Sequence, residues 1–226
     1  MSIRRKIANT SAILLAVTAL AGCQALSGPS KPTIVPPNPL TGSGAWAALA
    51  TDNDISRMTE LDEVFADGLA EARKAGFKSA IAREGELLDP DAALPAAAPT
   101  PGSYNCRTVT LGKTKERGSP AFQRFKSFFC YIEVEGDRFT LVKQSGSDLP
   151  AGRLYPDPGT RRMVFLGAMT KSGENATVAY GDQRQRDIIG AFERIGPFRW
   201  RLVMPLPADG GKVDITEFTP VPDQPE

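Results

Sequence analysis

The sequence predicts a mainly β, α+β fold: an antiparallel meander of about eight to nine strands that closes into a small barrel or a strongly curved sheet, with an N-terminal amphipathic helix packed on it. Three observations predict it. From Tyr104 onward, apolar residues alternate with polar ones in short runs, the period of a half-buried strand. Turn residues separate those runs: Glu135-Gly136-Asp137, Pro156-Asp157-Pro158-Gly159, Ser172-Gly173-Glu174, Gly196-Pro197 and Asp209-Gly210-Gly211. Upstream, a single apolar stripe repeats at helical spacing.

Residues 1–22 read as a signal peptide: Arg4, Arg5 and Lys6 precede an apolar stretch from Ile13 to Ala21. The stretch is shorter than the roughly 20 apolar residues of a membrane-spanning helix. It ends Leu20-Ala21-Gly22-Cys23, which closely resembles the lipobox of bacterial lipoproteins. The resemblance implies that Cys23 becomes the acylated first residue, a palmitate-type anchor to the bilayer. Gln24 rather than Asp follows it, a pattern that resembles outer-membrane sorting, on the periplasmic side. Residues 23–44, with Pro29, Pro32, Pro36, Pro37 and Pro39, read as an extended tether.

The helical segment is expected over 45–93. Ile55, Met58, Leu61, Phe65, Leu69 and Ala72 recur at spacings of 3, 3, 4, 4 and 3. Thr51 or Asp52 can cap its start and Gly76 can end it. A second, weaker helix is expected from Phe77 to Leu88, stopped by Asp89-Pro90. Residues 94–101, rich in Ala and Pro, read as a hinge-like linker. The β-domain follows over 102–220, with a short tail at 221–226. Its expected strands start with Tyr104 to Leu111 and Phe128 to Val134. They continue with Arg138 to Gln144, Gly152 to Tyr155, Met163 to Ala168, Ala176 to Tyr180, Ile188 to Ile195, Phe198 to Met204 and Val213 to Phe218.

With Cys23 acylated, two cysteines remain in an oxidising compartment, and Cys106–Cys130 is the pairing left to them. Gly-x-Tyr-x-Cys-Arg at Gly102 to Arg107, Lys-x-Ser-Gly-Ser at Lys143 to Ser147, Phe165-Leu166-Gly167, Tyr180-Gly181, Arg186-Asp187 and Trp200-Arg201-Leu202-Val203 follow Trp46 and the helix in order. That order resembles a bacterial envelope family known only as domain of unknown function 4893. The family offers no activity to carry over. At the level of architecture, the strand meander is similar to the small calycin barrels, some of which are periplasmic protease inhibitors.

The absence of histidine from all 226 residues removes Ser-His-Asp and Cys-His mechanisms and every His-ligated zinc site. A general base would have to be a tuned carboxylate or lysine. No catalytic residue, metal ligand or cofactor is assigned. Removing Arg4, Arg5 and Lys6 from 27 basic residues leaves 24 against 26 acidic ones, so no nucleic-acid partner is expected. Lys143 and Ser145 share a strand face, the arrangement of Ser–Lys acyl enzymes, but Ser145-Gly146-Ser147-Asp148 reads more simply as a turn. Arg186, Asp187, Arg194 and Arg201 form a candidate cluster: either a buried ion pair on Asp187 or arginines that read an anionic ligand. The basic stretch Lys113 to Lys126 reads as a solvated loop pinned by Phe122 and Phe125, with anionic lipid as the alternative contact.

The expected function is a non-catalytic binding or envelope-maintenance module, anchored by lipid, with a small apolar or anionic ligand. The alternative is an inhibitor or partner of an envelope or secreted enzyme, and a hydrolase is third. A pocket inside the barrel favours the first; a filled barrel with an apolar patch near the linker favours the second.

Overall fold

The strands of this chain have one face to bury inward and several have a second to bury outward; the architecture solves both. A computed structural model describes residues 45–145, 148–157, 159–171, 173–174, 177–205 and 211–222. The expected signal peptide, Cys23, the tether, Ser147 and residues 223–226 lie outside these. Helices α1 (Asp52–Thr59), α2 (Leu61–Lys74) and α3 (Lys78–Ala82) and a 3-10 turn (Gly85–Leu88) precede nine strands. These are β1 (Gly102–Leu111), β2 (Phe122–Arg124), β3 (Phe128–Glu135), β4 (Arg138–Lys143), β5 (Asp148–Pro156), β6 (Arg162–Lys171), β7 (Asp187–Gly196), β8 (Arg199–Pro205) and β9 (Val213–Pro220). Sheet neighbours run β2-β1-β3-β4-β5-β6-β7-β8-β9, and β1 also pairs with β9, so eight antiparallel strands close a barrel with β2 as an extra strand.

The predicted meander is therefore present and closed. Closure removes the free edges that an open sheet would expose. Several details differ from the sequence reading: the expected single helix breaks at Glu60 into α1 and α2, and β5 begins at Asp148 rather than Gly152. The stretch 177–180 is not a strand; Tyr180 instead reaches out to α1, where its hydroxyl donates to Asp54 at 2.6 Å. β2 is unpredicted because three residues, Phe122-Gln123-Arg124, are too short to show a period. It is the first part of one broken strand: Arg124 pairs with Val109 and Phe128 with Cys106, so four steps on one side face three on β1. The extra residue is a bulge.

The barrel interior changes character along its axis. At the end where β1 begins, Tyr104, Phe165, Phe192, Trp200 and Phe218 fill it. Phe192 meets Phe218 edge-on at 5.4 Å and Tyr104 meets Trp200 at 6.0 Å. Gly152 and Gly167 pair across β5 and β6 beneath the Phe165 ring; a Cβ at Gly167 would stand 2.5 Å from that ring. These glycines make the recess that the phenylalanine occupies. Cys106 and Cys130, diagonal neighbours on β1 and β3, form the disulfide with Cα atoms 6.0 Å apart. Toward the other end the same face turns polar. Thr108 and Thr216 hydroxyls meet at 2.8 Å, Thr110 donates to Asp214, and Lys143 lies 4.3 Å from the Phe128 ring centre.

Residues 94–101 close the aromatic end. Leu94 N donates to Arg194 O at 2.8 Å, and Arg194 Nε and Nη2 donate to Pro95 O at 3.0 and 2.6 Å. Tyr104 donates its hydroxyl to Thr100 O, and Ala97 joins the interior cluster just after Ala96, whose φ is +59°. The segment expected as a hinge lies across the barrel as a lid, and the described residues all fall within one compact unit.

The helices cover the outer wall of β1, β9, β8 and β7. Met58, Leu61, Phe65, Leu69 and Ala72, five of the six residues of the predicted stripe, are buried against Val109, Leu111, Val203, Val213 and Ile215. Thr51 caps α1, accepting from Asp54 N at 3.2 Å, and Gly76 follows α2 with φ +94°. Gly68 on α2 permits the close approach, since a Cβ there would meet Leu111 Cβ at 3.0 Å. Among the described residues no helix is long and apolar enough to cross a membrane.

Candidate functional site

Strand alternation puts Arg107, Glu193, Arg199, Arg201 and Glu217 on the outer wall, where solvent would be their natural surrounding. The helical segment lies over them instead, and the charges become a clamp. Glu84, 4% exposed, receives Arg124 and, at 2.7 Å, Arg107. Arg107 also holds Glu217 at 2.5 Å, and Glu217 holds Arg199 at 2.5 Å, which reaches Glu86 at 2.9 Å. Burial alone would push the Glu84 carboxyl up, but the hydrogen bonds and attraction of Arg107 and Arg124 outweigh it and hold it below the usual range.

Beside the clamp, Arg201 is the largest fully buried side chain, 1% exposed. Its Nε and Nη2 each stand 2.8 Å from Glu193 Oε2. Its Nη1 donates to the carbonyls of Glu86, Leu87 and Asp89 at 3.2, 3.1 and 2.6 Å, and Nη2 to that of Pro90 at 3.4 Å. One guanidinium thus satisfies the carbonyls where the 3-10 turn ends and the lid begins. The Phe65 ring lies 5.4 Å from its central carbon.

This pair floors a cleft of about 500 Å³, within the usual range of small-molecule sites. Leu61, Phe65 and Val203 form its apolar wall; Pro90, Asp91 and Ala93 form one rim, and Gly159 to Arg162 of the β5–β6 turn the other. Arg161 bridges the rims, donating to Ala93 O at 3.3 Å, and Arg162 stands 3.8 Å from Asp62 on α2. Glu193 and Arg201 give the floor a buried carboxylate and a buried guanidinium side by side. Such a surface can bind and orient a polar group.

A second polar knot ties α1 to the barrel. Asp54, 3% exposed, accepts from Thr51 Oγ1 at 2.8 Å, from Tyr180 and from Arg57 at 3.2 Å. Burial and the Asp54 carboxylate push the Tyr180 hydroxyl up to about 12. Trp46 Nε1 donates to Asp157 at 3.2 Å and fixes the start of the described chain on the β5–β6 turn.

The structure does not gather Arg186, Asp187, Arg194 and Arg201 into one cluster. Asp187 and Arg194 sit near opposite ends of β7, on the order of 20 Å apart at about 3.3 Å per residue. Arg186 pairs with Glu174 at 2.7 Å, Asp187 accepts from Gly181 N at 2.9 Å, and Arg194 holds the lid. Only Arg201 enters a buried ion pair, and its partner is Glu193 rather than Asp187. Ser145 Oγ accepts from Phe129 N at 3.2 Å while the Lys143 ammonium stacks on Phe128. In the basic stretch, Phe122 is pinned against Phe77 at 5.6 Å, whereas Phe125 is 43% exposed. Glu84, Glu193 and Glu217 are not among the sequence-derived candidates: the partners of Glu84 and Glu217 lie on other elements, and Glu193 meets Arg201 only across the β7–β8 pairing.

Among the described residues there is no group of three or more acidic or Cys side chains that could hold a metal ion. No curated protein and no solved structure matches the chain. A family described as a domain of unknown function (DUF4893) matches residues 46–218, which run from Trp46 at the β5–β6 turn to Phe218 in the barrel core, and the chain belongs to that family.

Proposed function

We propose that this is a lipid-anchored envelope protein, held by Cys23 on the periplasmic side of the outer membrane, and that it serves as a non-catalytic binding module. The lipobox Leu20-Ala21-Gly22-Cys23, with Gln24 after it, supports the anchor. The observation that carries the binding reading is the cleft of about 500 Å³ over the Arg201–Glu193 pair. The reading puts this site outside the barrel, because the aromatic half of the interior, where a calycin-like ligand would sit, is filled by side chains.

Metabolic labelling with radioactive palmitate tests the anchor. The full chain should take up label and fractionate with membranes, and Cys23→Ser should lose both; an unlabelled wild-type chain in the soluble fraction would sink the proposal. Native mass spectrometry of the Cys23→Ser chain tests the binding half through any mass that departs on unfolding.

A second reading, as partner or inhibitor of an envelope enzyme, draws on the filled aromatic half of the barrel together with an exposed apolar patch near the linker. Leu94, Val134 and Phe198, which are 37%, 46% and 70% exposed, surround the lidded end of the barrel. Covalent capture through a photoreactive residue at position 198 separates the two readings: a single specific adduct supports the partner, and none removes it.

A further inference from the structure

The chemistry of the cleft narrows what it can hold, given that it is the binding site. Its floor guanidinium is fully committed to protein acceptors, and each rim arginine makes one contact. Arg201 gives all its nitrogens to Glu193 and four carbonyls, Arg161 donates to Ala93 O, and Arg162 faces Asp62. Its acceptors are not matched in the same way. The Glu193 side chain is 10% exposed; both Arg201 contacts fall on Oε2, and Oε1 accepts no hydrogen bond among the described residues. At the rim, the Asp91 carboxylate likewise has no partner among the described residues, since only its backbone N–H is engaged, with Asp89. Asp62 is 85% exposed and only loosely held by Arg162 at 3.8 Å.

On the floor the donor is engaged and the acceptor is open, which favours a ligand group that donates. An ammonium has three donors and no acceptor. Beneath the rim, Leu61, Phe65 and Val203 offer an apolar wall for a hydrocarbon stem. We propose that the cleft binds a primary ammonium carried on an apolar stem, with Glu193 Oε1 as its acceptor on the floor and Asp91 as the carboxylate at the entrance. Such a group occurs on a lysine side chain or an alkyl diamine alike. At the floor a carboxylate or phosphate is disfavoured, because it would meet an unpaired carboxylate oxygen beside a guanidinium already committed to other acceptors.

The test titrates three probes of one stem length, n-pentylammonium, n-pentanol and n-pentanoate, into the full-length Cys23→Ser chain, following the amides of Phe65, Asp91, Thr160 and Val203 by NMR. The ammonium should shift these amides saturably and the other two should not. Glu193→Gln should weaken it about ten-fold or more, and Asp91→Asn roughly two- to three-fold. If Glu193→Gln does not fold, the double variant Asp62→Asn/Asp91→Asn decides, with a loss of about five-fold expected; unchanged affinity overturns the proposal. Equal or stronger shifts with pentanoate or pentanol overturn the ammonium while leaving the cleft as a binding site. If no probe moves these amides, both the ammonium and the cleft fall.

Discussion

The two faces of strand β8 are buried for opposite reasons. Trp200, Leu202 and Met204 point inward into an apolar interior held by shape, where the Trp200 indole N–H finds no partner among the described residues. One residue out of phase, Arg199 and Arg201 point outward into ion pairs and carbonyl cages. The inner face gains from leaving water; the outer face holds charges that tolerate burial only because each is paired. A shift of one position along the strand moves a residue between these regimes. What makes the outer face possible is the second layer, α2 and the 3-10 turn, which excludes water from the wall they cover.

The comparison breaks most readily at its most committed residue. Arg201→Ala should cost about 3–5 kcal/mol, because it leaves Glu193 buried without a partner and frees the carbonyls that Arg201 caps. Urea unfolding measures it; a loss under about 1 kcal/mol would mean that water reaches the pair and the outer face is not truly dry. On the inner face, replacing Cys106 and Cys130 together by Ala should cost about 3 kcal/mol, the loop-closure contribution of a bridge separated by 24 residues. An unchanged unfolding midpoint would show that packing, not the bridge, fixes β1 against β3.

Glu84→Gln should cost on the order of 2 kcal/mol, since two arginines lose a charged acceptor. The pH dependence has a definite sign. The Glu84 carboxyl lies below its unfolded value of 4.5, so its contribution is complete above that pH and is lost as pH falls through the lower folded value. Acid unfolding of Glu84→Gln should therefore be shallower than that of the wild type, and parallel curves would remove Glu84 as a source of the acid sensitivity. Phe198→Ser is the smallest expected change, within about 0.5 kcal/mol, because that ring is 70% exposed and supports neither face. A larger loss would reveal packing at the lidded end.

The inner face was legible because period two is a local signal: Tyr104, Cys106, Phe192, Trp200 and Phe218 all fall in phase. The helix stripe was legible for the same reason. The site was not. Alternation assigns Arg107, Glu193, Arg201 and Glu217 to the outward phase but cannot say that a layer covers them. Glu84 reads as one more charge near a helix end, and its partner Arg107 lies on another element. Arg186, Asp187, Arg194 and Arg201 are close in sequence, yet an extended strand separates what a helix would stack. The false strand near Tyr180 has a similar origin: a short mixed run carries no sign that its tyrosine serves a helix far back in the chain.

The pairing of β1 with β9 also carries a consequence for how the molecule is assembled. Eight registered pairs, from Tyr104–Pro220 to Leu111–Val213, join the first strand of the barrel to the last. A chain delivered amino end first presents its amphipathic helices and β1 long before their cover is available. The wall that buries α2 depends on β8 and β9, and Glu217, which ties Arg107 to Arg199, arrives in the last strand. The final stretch thus completes the ring, the helix dock and the charge network together, so a nascent chain halted before Val213 has an open ring, a helix dock without its β9 wall and a charge network without Glu217. Until then its apolar stripe is exposed, and a holding chaperone would find its substrate there.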